Sequence, residues 1–158
     1  MRRTVAAVAA LLVLGAAAAY AASPMQAGAT ISVSPATPGA RAAVKLNVRH
    51  TFYCGRPKPA TIAITFPAAE RVPSSIPTGA VHLSAGHVKA VHASGKTVSV
   101  AVEPPPVKGV TCMVIVLGKL RVRFDKTARL GNPSRAGTYA VSVTDGRFHY
   151  TGHFTISS

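Results

Sequence analysis

The stretch TYAVSVTDGRFHYTGHFTI, Thr138 to Ile156, reads as two strands joined by a turn. Tyr139, Val141 and Val143 recur at every second position, and Phe148, Tyr150, Phe154 and Ile156 share a second parity. A period of two sets apolar side chains on one face of a pleated strand and polar ones on the other. Asp145-Gly146 between the two runs signals a hairpin, because a type I′ turn wants positive φ at both central residues.

The same period runs outward from this hairpin. Val44, Leu46, Val48 and Phe52 face one way, with Lys45, Asn47 and Arg49 opposite. Ile62, Ile64 and Phe66 follow, then Val98, Val100 and Val102, then Leu120, Val122 and Phe124. Turn chemistry separates the runs at SPATPG (34–39), GRPKP (55–59), ASGK (93–96), EPPPVKG (103–109) and GNPSRAG (131–137). No window carries sustained helical periodicity. The expectation is an all-β protein, an antiparallel β-sandwich of about seven to nine short strands.

The N-terminus reads differently. Arg2 and Arg3 precede an uncharged, mostly apolar run from Val5 to Ala19, and Ala19-Tyr20-Ala21 has the small-x-small pattern of a signal-peptidase site. The apolar run is shorter than the ~20 residues a membrane span needs. The division expected is a signal peptide over 1–21, a short linker over 22–28 and a single sandwich domain over 29–158. No later segment is long and apolar enough to span a bilayer, so the mature chain is expected to be secreted or held at the cell envelope.

Two cysteines, Cys54 and Cys112, occur in a chain read as exported, and an even count outside the cytoplasm points to a disulfide. Both are in phase with inward-facing neighbours. Closing a loop of that length would contribute about 4 kcal/mol in the chain-entropy model. Two buried free thiols are the alternative.

Charge is the strongest compositional signal. Eighteen basic residues stand against four acids. Without Arg2 and Arg3 the balance is still about +12. Such a surface favours anionic partners, here a cell-wall polymer or an acidic glycan. No clustered basic run with interleaved aromatics is present, so specific nucleic-acid binding is not expected. Lys119, Arg121 and Arg123 share the face opposite Leu120, Val122 and Phe124, as Lys45 and Arg49 share the face opposite Val44 and Leu46. If these strands are neighbours, the five cations build a stripe suited to a polyanion.

Motifs for catalysis are largely missing. The acids are Glu70, Glu103, Asp125 and Asp145, with Asp145 read as a turn residue, and no pair is marked as a glycosidase couple. There is no G-x-S-x-G elbow and no H-E-x-x-H zinc motif. An exported hydrolase with dispersed catalytic residues stays open as an alternative. GNPSRAG is no phosphate loop, since five residues separate its glycines and a strand follows. Asn132-Pro133-Ser134 is no glycosylation signal, because proline blocks it. No cofactor is expected. His82, His87 and His92 are weak metal candidates, spaced by fives so that strand parity does not gather all three. They motivate a further alternative, a secreted small-ligand or metal-binding module. His149 and His153 lie roughly 13 Å apart along one strand face, and His50 reads as a hydrogen-bonded core or strand-end histidine.

In their order, TIAITFPAAERVPSSIP (61–77), VHLSAGHVKAVHASGKTVSVAV (81–102) and GNPSRAGTYAVSV (131–143) resemble a repeated β-sandwich module of bacterial secreted and cell-surface proteins. The shared pattern is a strand ending in Phe-Pro, a Val-Pro-x-Ser-Ile segment, a hairpin with a Ser-Gly turn, and Asn-Pro-x-x-Ala-Gly-Thr-Tyr opening a late strand. The resemblance implies an immunoglobulin-like architecture and a non-catalytic extracellular role, and it supplies no catalytic residues. Tandem repeats, a cysteine pair and strong basicity set this chain and that pattern apart. Antibody-type topology does not follow, since there is no tryptophan and at least three strand-like runs lie beyond Cys112.

Overall fold

Alternating apolar positions become strands wherever a second sheet can cover them. A computed structural model describes residues 28–53, 59–105, 114–146 and 148–158. The expected signal segment, the linker up to residue 27, and Cys54 and Cys112 lie outside the described residues.

Nine strands are present among the described residues: β1 (Thr30–Ser34), β2 (Ala43–Tyr53), β3 (Ala60–Thr65), β4 (Val81–Leu83), β5 (His87–Ser94), β6 (Thr97–Glu103), β7 (Val114–Phe124), β8 (Gly137–Asp145) and β9 (Phe148–Ile156). Short 3₁₀ turns at Thr78–Ala80 and Lys126–Ala128 are the helical elements among them. The strands form two antiparallel sheets, one ordered β1-β2-β7-β4 and the other β5-β6-β3-β8-β9. The sandwich expected from the period of two is the fold.

Each inner face carries the predicted parity. Val44, Leu46, Phe52, Leu120, Val122 and Phe124 are buried from the first sheet, and Ile62, Ile64, Val98, Val100, Val102, Val141 and Val143 from the second. Together they make one apolar cluster. Phe66 and Phe124 meet edge to face across it, with ring centroids 6.2 Å apart. The sheets close tightly where β1 passes over β9. A Cβ on Gly152 would come within 2.3 Å of the Ala29 carbonyl oxygen, so only glycine fits there.

Set beside an immunoglobulin variable-type sandwich, β1-β2-β7-β4 occupies the A-B-E-D layout and β9-β8-β3-β6-β5 the G-F-C-C′-C″ layout. The connections differ. After β3 the chain visits the D position first, then the outer edge strand β5, then β6. The Tyr139 hydroxyl donates to the Arg135 carbonyl at 2.8 Å, pinning the GNPSRAG loop to the start of β8 as a tyrosine corner does.

Two sequence expectations are corrected in the last hairpin. The closing register pair is Asp145 with Phe148, so Asp145 is the last residue of β8. Gly146 has φ 59°, which suits the first central position of a primed turn. Asp145 is therefore buried rather than held in a turn. Phe148 shares parity with Tyr150 and Phe154, yet it is 44% exposed. It sits at the hairpin end, stacked on Tyr150 at 6.5 Å.

Candidate functional site: a basic face on the four-stranded sheet

Because β2 and β7 are paired at the centre of the four-stranded sheet, their outward residues share one surface. Lys45 stands directly opposite Arg123, and Asn47 opposite Arg121. The register slips between Val48 and His50, which face Leu120 and Leu117. Arg49 is thus bracketed by the stretch containing Lys119, two residues of β7 opposing one of β2 as in a β-bulge. Lys45, Arg49, Lys119, Arg121 and Arg123 are all exposed. All five cations singled out from parity therefore lie on the same face.

The flanking strands widen it with polar groups. Ser32 of β1 is opposite Lys45, and His82 of β4 is opposite Arg123, which gives a cross-strand row Ser32–Lys45–Arg123–His82. In the next row Thr30 faces Asn47, and on the far side the Arg121 amide donates to Ser84 Oγ at 3.0 Å. Rows two residues apart along a strand are separated by about 7 Å.

Acids do not neutralise this surface. Glu70 and Asp145 are buried in the interior. Glu103 lies on the other sheet, 3.5 Å from the Lys89 ammonium. Asp125 follows β7 at the edge of the face, and its carboxylate is already engaged. It accepts from the Thr127 hydroxyl and amide, and it pairs with His82 Nε2 at 3.1 Å. These contacts, the Thr127 hydroxyl first, lower its pKa to about 2. Among the described residues none of the five stripe cations forms an ion pair.

That arrangement works against the fold. Like charges directly opposite on paired strands are destabilising, and Lys45–Arg123 is such a pair. Sequences tend to break a local rule of this kind where function requires it.

The histidines are dispersed. His82 belongs to the four-stranded sheet and His87 and His92 to β5 of the other, because the short segment after β4 changes sheets. The three do not form a joint ligand set, and no group of three metal-ligating side chains is found among the described residues. His149 and His153 are both exposed on β9.

His50 and Asp145 are the polar feature that sequence reading missed as a pair. The His50 Nδ1 to Asp145 Oδ2 distance is 2.6 Å, joining β2 to β8 across the two sheets. Phe52 packs edge-on against the imidazole at 4.4 Å. Burial, then the Asp145 charge, raises the pKa of the nearby Tyr150 phenol. A histidine–carboxylate couple supplies two of the three members of a hydrolytic triad, but here His50 Nε2 is buried without a hydrogen-bond partner among the described residues. No hydroxyl nucleophile engages it among the described residues. The couple acts as an inter-sheet tie.

No helix among the described residues is long and apolar enough to cross a membrane. No protein-family model matches the chain, and no curated protein matches it. Among solved structures it is similar to the crystal structure of BslA, a bacterial hydrophobin, at 16% sequence identity and a TM-score of 0.47. The alignment covers 82% of this chain and 94% of that one. A likeness this distant transfers neither residue roles nor activity.

Proposed function

We propose that this chain is an exported, non-enzymatic β-sandwich that associates with the cell envelope or an anionic extracellular polymer through the outer face of the four-stranded sheet. The observation that carries the reading is the stripe of five exposed cations on β2 and β7, which form no ion pair among the described residues, with Lys45 facing Arg123. Export is supported by the Arg2-Arg3 start, the apolar run and Ala19-Tyr20-Ala21. Rows about 7 Å apart suit a linear polymer carrying charges at regular intervals. One exposed cation contributes little alone, whereas a row acts collectively on a polyanion.

The test is co-sedimentation of the purified protein with isolated envelope across a sodium chloride series. Retention at low salt that falls steeply as ionic strength rises is the expected result. Absence of retention even at low ionic strength removes the electrostatic reading. Duplex DNA of random sequence and a neutral glucan serve as comparison polymers.

A further inference from the structure

A second basic feature lies beyond the end of the stripe. Arg41, Ser75, Pro77, Lys126, Thr127 and Arg129 line an open recess of about 640 Å³. Three of the six are cations, and none is a carboxylate. They come from three segments: the approach to β2, the strand-free stretch before Thr78, and the 3₁₀ turn after β7.

The walls are fixed by main-chain bonds. The Ala42 amide donates to the Leu130 carbonyl at 3.0 Å, and the Asn132 amide to that of Ala40 at 2.9 Å. Gly131 and Arg71 exchange two bonds, at 2.8 and 2.9 Å. The buried Asn132 side chain donates to the carbonyls of Pro35 and Thr37, at 2.8 and 2.9 Å. The Asp125 amide donates to the Ala80 carbonyl, tying the two 3₁₀ turns together.

Arg129 has φ 57° and ψ 27°, and it is the sole non-glycine residue with positive φ among the described residues. The position just past a helical turn in this conformation is ordinarily glycine, which adopts it without strain. An arginine kept there, with its side chain lining a cationic recess, breaks a backbone preference at a site where charge is concentrated.

Resting on the proposed polyanion face, we propose that this recess binds a tetrahedral oxyanion, a phosphate or sulfate group carried on the polymer that lies along β2 and β7. Arg41 is in phase with Lys45 and Arg49, so it continues the outward row past the half-buried Ala43. Three cationic donors from two separate segments, Arg41 on one and Lys126 and Arg129 on the other, suit an anion with oxygens in several directions. A planar carboxylate is satisfied by one guanidinium fork. Ser75 adds a hydroxyl donor, whereas the Thr127 hydroxyl is already committed to Asp125. The carboxylate of Asp125 does not compete, being held by Thr127 and His82.

The experiment titrates inorganic phosphate, sulfate and acetate into the purified protein at low ionic strength, followed by amide chemical shifts. Three proteins are compared: wild type, Arg129→Gly, and the stripe variant Lys45→Gln/Arg121→Gln/Arg123→Gln. Arg129→Gly removes a charge and relieves the backbone, so it should stay folded while phosphate or sulfate affinity falls roughly tenfold or more. The stripe variant should bind the small oxyanion as wild type does while losing envelope retention. Whether phosphate or sulfate binds more tightly identifies the group the polymer carries. Undiminished oxyanion binding by Arg129→Gly, or acetate binding as tight as either tetrahedral anion, overturns the recess and leaves the polymer-binding face standing. Undiminished envelope retention by the stripe variant overturns the face instead.

Discussion

Replacing Arg123 with threonine should make the protein more stable and a poorer polymer binder. Arg123 stands directly opposite Lys45, with Arg121 two residues away on the same strand face. Like charges facing across paired strands cost about 0.2–1 kcal/mol. Coulomb's law gives a similar figure, roughly 0.7 kcal/mol for two charges about 6 Å apart in water. Threonine is also a good strand residue. With an unfolding entropy near 2.1 cal/mol/K per residue, a gain of about 0.5 kcal/mol in a sandwich of roughly 130 residues raises Tm by about 2 °C. The assay is thermal unfolding followed by circular dichroism in 10 mM and 1 M sodium chloride, with Arg123→Lys as the charge-preserving control. The gain should be clear at low salt, where the screening length is about 30 Å, and vanish at high salt, where it is about 3 Å. Arg123→Lys should melt with wild type. A gain of equal size in 1 M salt, or a loss at low salt, would show that packing rather than repulsion governs this position.

Glu70 is buried, its two carboxyl oxygens have no partner, and desolvation, opposed by the Lys96 charge, raises its pKa from 4.5 to about 7. The folded state then holds a proton that the unfolded chain releases, so its contribution to stability is largest below pH 4.5 and declines as pH rises through 7. Glu70→Gln should flatten that decline in denaturant titrations across pH 4 to 8, gaining up to about 3 kcal/mol at the alkaline end. Asp125 behaves oppositely, since its lowered pKa gives stability that is present above the ordinary carboxylate value and lost as pH falls toward 2; Asp125→Asn should weaken acid unfolding in that window. Asp145→Ala leaves His50 buried without its partner, and urea unfolding should report a loss of about 2 kcal/mol or more. For Cys54 and Cys112, Tyr53, which precedes Cys54, is paired with Val114, two residues after Cys112; mass spectrometry of the non-reduced protein under denaturing alkylation should find no free thiol.

Parity carried most of the fold. Wherever a residue's environment depends on its own strand, as for Leu46 and Lys45 or Val122 and Arg123, alternation alone gives which side it faces. It therefore also gave the stripe, once β2 and β7 proved to be neighbours. What alternation does not encode is the partner strand. Asp145 looked like a turn residue because it precedes Gly146, yet its environment is set by His50, ninety-five residues away. His82 and His87 look close in sequence but belong to different sheets, because the intervening segment crosses over. The recess was hidden for the same reason. Arg41, Lys126 and Arg129 come from loops that meet only when the sandwich closes. The visible trace was Arg41 sharing parity with Lys45, and the positive φ of Arg129 has no sequence signature.

The central claim is that the cations on β2 and β7 hold the protein on an anionic polymer. The most direct measurement is the salt dependence of envelope co-sedimentation for wild type and Lys45→Gln/Arg121→Gln/Arg123→Gln side by side. Wild type should be retained at low salt with a steep negative slope against the logarithm of salt concentration, and the variant should show weaker retention and a shallower slope, having fewer counterions to release. Equal retention and equal slopes for the two proteins would contradict the account.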